Sequence, residues 1–114
     1  MKSTITSPKS FFGYQLGADR EMARWDEIVR YFDLLGSESD RVRTIHMGPS
    51  TEGNPFLEVI ITSPENFENL EEIRRISMTL ADPRGLSQEE IDSLVQKGKA
   101  VCVQSMSLHA TEIG

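Results

Sequence analysis

The chain has 114 residues, of which 38% are hydrophobic and 26% are charged, and this balance is typical of one modest globular domain. Acidic residues outnumber basic ones by 18 to 12, which gives a formal net charge of -6 and an isoelectric point near 4.9. These values argue against nucleic acid and anionic membrane surfaces as partners, because both attract basic proteins.

Residues 1–17 are predicted to be an irregular lead into a domain formed by residues 18–114. The lead carries Phe11, Phe12 and Tyr14 close to glycines, as expected of a segment packed on the surface of a core. Its first residues contain no apolar stretch of the length that a secretory signal requires, and no apolar run approaches the roughly 20 residues of a membrane span. The sequence therefore does not determine the cellular compartment of the protein.

A helix is predicted from Asp19 to Leu35, because apolar residues recur there at the three-and-four spacing of one helical face. Asp19 is the predicted N-cap, and Gly36 is the predicted stop. We expect the apolar stripe to face the core; it consists of Met22, Trp25, Ile28, Val29, Phe32 and Leu35.

Two strands, Val42–Met47 and Phe56–Thr62, are predicted to pair as an antiparallel hairpin, because the connector between them is rich in Gly and Pro. The second strand is β-branched and mostly apolar, as is typical of a strand inside a sheet. His46 lies in the first strand and has no metal-ligating residue type at short spacing, so we expect a structural role for it.

Residues 64–92 are predicted to be helical and acidic, with a break at residues 82–85. After the break, Ser87 and Glu90 stand at capping-box spacing and begin a further helix, which Gly98 closes. We interpret the many carboxylates of this region as a solvated face rather than a binding patch.

A third strand is predicted over Lys99–Met106, with Cys102 buried in it as a small hydrophobic residue. A strand–helix–strand connection of this length favours parallel pairing, so the predicted fold class is α/β. Cys102 is the only cysteine, and an internal disulfide is therefore excluded.

This strand leads to His109 and Glu112, three residues apart, at a strand end of the kind where open α/β sheets bind ligands. Imidazole nitrogen and carboxylate oxygen both bind zinc, at roughly 2.0–2.2 Å. The pair is thus a candidate for two zinc ligands, although His-x-x-Glu alone is a weak pattern. The sequence shows neither a Gly-x-Ser-x-Gly elbow nor a glycine-rich phosphate loop, and a Cys102–His109 couple would set the thiol inside the strand.

The segment Gln104–Leu108, followed by His109-Ala110-Thr111-Glu112, resembles the first zinc-binding motif of the zinc metallocarboxypeptidases, the carboxypeptidase A-like peptidases. The segment Met47–Phe56 resembles the early hairpin of that family, in which a Ser-x-x-Gly turn leads into the second strand. The order of predicted elements over residues 18–114 follows the family's opening order, and the nearest resemblance is to a bacterial branch with a longer N-terminal lead.

The chain departs from the better-known members of the family on both sides of the predicted ligand Glu112. Those members usually carry an Arg directly before this Glu and a Trp after it, whereas this chain has Thr111 and Ile113. The absent Arg puts in doubt a substrate contact that the family usually makes there, while the ligand pair itself matches.

The resemblance implies the N-terminal portion of a mixed-sheet α/β/α fold and an enzyme that removes C-terminal residues from peptides. It implies that His109 and Glu112 are two of three protein ligands to one catalytic zinc ion. It further implies that the third ligand, a general-base Glu and the Arg residues that bind the substrate carboxylate lie beyond Gly114. On this reading the 114-residue chain is an N-terminal part that is inactive alone, from a family that is often secreted or periplasmic.

Two alternatives stay open at the level of sequence. The first is a non-catalytic module, in which Trp25, Phe11 and Phe12 serve protein association. The second is a related zinc amidase or deacylase that uses the same motif on a different acyl substrate.

Overall fold

The computed structural model describes residues 5–105, which divide into two compact units, residues 5–63 and residues 64–105. Helices and a two-stranded antiparallel sheet occur together, which confirms the predicted mixed α/β class. In chain order the elements are α1 Pro8–Phe12, α2 Trp25–Glu38, β1 Val42–Pro49, β2 Pro55–Ile61, α3 Pro64–Glu68, α4 Leu70–Ala81 and α5 Gln88–Lys97.

Helix α2 begins six residues later than predicted, because the backbone before it is not helical. Arg20 has a φ of 65°, in the left-handed region that a right-handed helix does not use. The N-cap is Arg24 instead of Asp19, and the Arg24 amide donates a hydrogen bond to the carboxylate of Glu27 at 3.2 Å. The acidic residues in the first turn of α2 interact favourably with the positive, N-terminal end of the helix dipole.

The predicted stop at Gly36 is also wrong, since α2 continues to Glu38. Gly36 serves instead as a point of close approach to β1: a β-carbon added there would lie 3.5 Å from the hydroxyl of Thr44. That hydroxyl donates a hydrogen bond to the Phe32 carbonyl oxygen at 2.9 Å. Strand β1 is thereby attached to the middle of α2.

The predicted antiparallel hairpin is confirmed. Val42 pairs with Ile61, Thr44 with Val59 and His46 with Leu57. Gly48, near the end of β1, and Gly53, in the connection, have φ values of 103° and 78°, which glycine adopts without steric cost. Backbone bonds close the turn: the Ser50 amide donates to the Asn54 carbonyl at 2.8 Å, and the Gly53 amide donates to the Ser50 carbonyl at 2.9 Å.

The apolar stripe predicted for α2 faces inward only over the helix proper. Val29 and Tyr31 are buried, and Ile28, Phe32 and Leu35 are half-buried. Met22 precedes the helix and is exposed, and Trp25 is 43% exposed at its first turn. The lead before α2, predicted to be irregular, contains the short helix α1.

The second unit, residues 64–105, follows the sequence prediction closely as far as residue 98. The chain breaks at residues 82–85 and restarts at the capping box of Ser87 and Glu90: the Ser87 amide donates to the Glu90 carboxylate at 2.8 Å, and the Glu90 amide donates to the Ser87 hydroxyl at 3.3 Å. Gly98 ends α5, and its amide donates to the Leu94 carbonyl at 2.8 Å.

Ile76 of α4 is the core of this second unit. Its side chain is only 2% exposed, the lowest value among the buried hydrophobic side chains of residues 5–105. A β-carbon added to Gly98 would lie 3.2 Å from the Ile76 side chain, which shows how closely the end of α5 approaches α4.

The predicted third strand, Lys99–Met106, is wrong over the part that the structure describes. Residues 99–105 form no strand and are exposed, with Val103 at 87% exposure. Cys102 is likewise exposed, so its predicted burial is also wrong. A short apolar run forms a strand only where a neighbouring strand supplies hydrogen bonds to its backbone N–H and C=O groups. The described sheet contains β1 and β2 alone, so residues 99–105 have no such neighbour in it. The predicted parallel pairing is therefore not found in residues 5–105.

Candidate functional site

The two predicted zinc ligands, His109 and Glu112, lie outside the described residues. The chain that leads toward them, residues 99–105, is exposed and has no sheet partner among residues 5–105. The zinc prediction accordingly stays a prediction that rests on the sequence motif.

Within residues 5–105, no group of three or more His, Cys, Asp or Glu side chains comes together in a way that could hold a metal ion. Two residues of these types do lie in contact. His46 of β1 lies beside Asp33 of α2, with 3.0 Å between the His46 Nε2 and an Asp33 carboxylate oxygen, and both side chains are about half exposed. A pair of this kind joins the strand to the helix and offers at most two ligands.

Sequence reasoning missed this pair because its members are 13 residues apart and meet only through packing of β1 on α2. The Nε2 atom of His46 is occupied by Asp33, and the structural role expected for His46 stays a prediction. An exposed contact of this kind contributes roughly 0–1 kcal/mol, so its removal is expected to leave the fold intact.

A second polar group, centred on Thr6, connects the lead to α2. The Thr6 amide and hydroxyl donate hydrogen bonds to the two carboxylate oxygens of Glu38, each at 2.7 Å. The Tyr31 hydroxyl donates to the Thr6 carbonyl oxygen at 2.9 Å. Burial, and then the nearby Glu38 carboxylate, raise the pKa of Tyr31, which keeps its hydroxyl protonated and able to donate.

The aromatic residues of the lead pack within the first unit. The ring centroids of Phe11 and Phe12 lie 5.1 and 5.5 Å from that of Tyr31, and both side chains are half-buried. Trp25 uses its indole N–H to donate a hydrogen bond to the Pro55 carbonyl oxygen at 3.0 Å, which joins the start of α2 to the hairpin. These side chains hold the first unit together.

The charged surface of α4 is internally paired. Arg75 donates two hydrogen bonds to the Glu72 carboxylate, each at 2.7 Å, and Arg74 bonds Glu71 at 3.0 Å. The Arg75 guanidinium lowers the pKa of Glu72 below its ordinary value. All four side chains are exposed, so this face of α4 is the solvated face that the sequence indicates.

No helix within residues 5–105 combines the length and apolar character that crossing a membrane would demand. Comparison of the chain with models of protein families, with curated proteins and with solved structures finds no match in any of the three.

Proposed function

We propose that this chain is the N-terminal part of a zinc metallocarboxypeptidase, an enzyme that removes C-terminal residues from peptides. His109 and Glu112 would be two of the three protein ligands to a single zinc ion. The observation that carries the proposal is the motif Leu108-His109-Ala110-Thr111-Glu112, with a helix, an antiparallel hairpin and further helices before it. The helix, the hairpin and the helices after it follow the order that the resemblance implies, whereas residues 99–105 do not form the third strand of that order.

The chemistry of the donor set supports zinc. A neutral imidazole nitrogen and a carboxylate oxygen are the ligands of catalytic zinc sites that keep one position open for water. A zinc ion in such a site polarises the scissile carbonyl and lowers the pKa of its bound water. His109 and Glu112 must both be deprotonated to bind, so zinc affinity is expected to fall as the pH drops through their pKa values.

The packing of the lead weakens the alternative of a protein-binding module. That alternative assigns protein association to Trp25, Phe11 and Phe12. In the packed lead the rings of Phe11 and Phe12 lie on Tyr31 and are half-buried, and only Trp25, at 43% exposure, presents a larger surface. The zinc amidase or deacylase alternative uses the same ligand pair, so only the substrate separates it from the carboxypeptidase.

Substrate tests separate these activities. We expect the complete gene product, loaded with zinc, to release the C-terminal residue from a peptide with a free carboxylate and to leave the same peptide intact when its C-terminus is amidated. An N-acetylated lysine side chain serves as the deacylase probe and should not be hydrolysed. Equal cleavage of the amidated peptide, or hydrolysis of the acetyl group alone, would reject carboxypeptidase activity.

The 114-residue chain by itself is expected to show no turnover. On the proposed function it carries two zinc ligands but not the third ligand, the general base or the groups that bind the substrate carboxylate. The measurement is release of a C-terminal residue by the isolated chain together with its zinc content. Tight stoichiometric zinc accompanied by turnover would overturn this expectation.

A further inference from the structure

Residues 5–12, which we call the strap, make their hydrogen bonds to α2 through Thr6. Thr6 uses all three of its backbone and side-chain polar groups: its amide and hydroxyl donate to Glu38, and its carbonyl accepts from Tyr31. These partners lie 32 and 25 residues further along the chain. The attachment is therefore a tertiary one that the local sequence does not enforce.

The rest of the strap is held less firmly. Helix α1 has no buried residue, and its contact with α2 rests on Phe11 and Phe12, whose half-buried rings cover Tyr31. Gly13 follows α1 directly, at a φ of 82°. A segment with few buried apolar groups opens at a lower free energy than the core it covers.

We propose that the strap is a detachable segment that closes over the aromatic side of α2 and that the charge on Glu38 holds it closed. With the carboxylate ionised, both hydrogen bonds from Thr6 are charge-assisted, which makes them about twice as strong as neutral ones. Loss of the charge leaves only neutral hydrogen bonds. Opening uncovers the rings of Phe11, Phe12 and Tyr31.

The two bonds from Thr6, first the backbone amide and then the hydroxyl, hold the pKa of Glu38 below its ordinary value. A depressed folded-state pKa means that the stabilisation is complete above the ordinary Glu pKa and is lost as the pH falls through the lowered value. Within residues 5–105, Tyr31 is the titratable group whose pKa responds to Glu38, and its hydroxyl stays neutral in acid. Lys9 is the basic residue of α1, and within the same residues it forms no ion pair with Glu38.

Hydrogen–deuterium exchange of the full chain at pH 7 tests this proposal. In E38Q, where the charge is absent, exchange of a peptide covering residues 5–12 is expected to rise roughly threefold to tenfold, as the loss of charge-assisted bonds implies. Exchange of a peptide covering residues 27–34 of α2 should not change. The matched control is E72Q in α4, which removes another hydrogen-bonded carboxylate and should leave the strap as it is in the wild type.

T6V is a second variant that tests the proposal even if E38Q folds poorly. It removes only the hydrogen bond of the hydroxyl and keeps the amide and carbonyl of residue 6. We expect a smaller rise in strap exchange in T6V, again without change in α2. Unchanged strap exchange in E38Q would overturn the proposal. A parallel rise in the strap and in α2 in both variants would overturn it too, since the strap would then open only with its unit.

Discussion

If the proposed function holds, replacing His109 with alanine is expected to lower the peptidase activity of the complete gene product by more than about 100-fold, because even residues that only orient zinc ligands typically contribute 10–100-fold. A missing ligand removes part of the coordination shell, so zinc binds less tightly and the activity falls with it. E112Q should behave in the same way, since it replaces the carboxylate by a neutral amide. The measurement is kcat/KM on a peptide with a free C-terminus, at a fixed zinc concentration.

The chain offers a matched control in its other histidine. His46 is half exposed and paired with Asp33, away from any group of metal-ligating residues within the described part of the chain. H46A should therefore keep its activity within about twofold, as surface substitutions usually change stability by less than about 0.5 kcal/mol. Activity that survives in H109A, or that falls equally in H46A, would contradict the proposed role of His109.

Replacing Ile76 with alanine is expected to destabilise the second unit by about 2–5 kcal/mol, the usual cost of an Ile-to-Ala change in a core. Ile76 is 2% exposed, and the end of α5 at Gly98 lies against its side chain. Removal of three carbon atoms leaves a cavity that rigid helices fill only in part. Urea denaturation followed by helical circular dichroism measures the change in the free energy of unfolding.

Two further variants show whether this loss comes from the packing of Ile76. I76V removes a single methylene group and should cost about 0.5–1.5 kcal/mol. Met78, two residues away on α4, is 60% exposed, so M78A should change stability by no more than about 0.5 kcal/mol. An equal effect of I76A and M78A would show that α4 is not anchored through Ile76.

Elements with strong local signals could be predicted from the sequence. The Gly- and Pro-rich connector identified the hairpin, and the Ser87–Glu90 capping box identified the start of α5, because both devices act between residues close in sequence. The predicted start of α2 is too early, since the apolar spacing continues back to Met22 although Arg20 is not helical. The spacing of apolar residues indicates which face of a helix is buried, but it does not indicate the residue at which the backbone leaves the helical conformation.

The third strand could not be judged from its own residues. Val101 and Val103 have the composition of a buried strand, yet a strand exists only where another strand supplies hydrogen bonds. The same limit applies to the polar contacts. Asp33 contacts His46 only when α2 packs on β1, and Thr6 contacts Glu38 only when the strap packs on α2. No pattern between neighbouring residues predicts these contacts.

The zinc content of the purified gene product is the most direct test of the proposed function. The complete protein, stripped with a chelator and reloaded, is expected to hold one zinc ion per chain by elemental analysis. The H109A/E112A double variant should hold none, while H46A should hold one. A wild-type protein that retains no zinc, or a double variant that retains as much as the wild type, would contradict the assignment of His109 and Glu112 as zinc ligands.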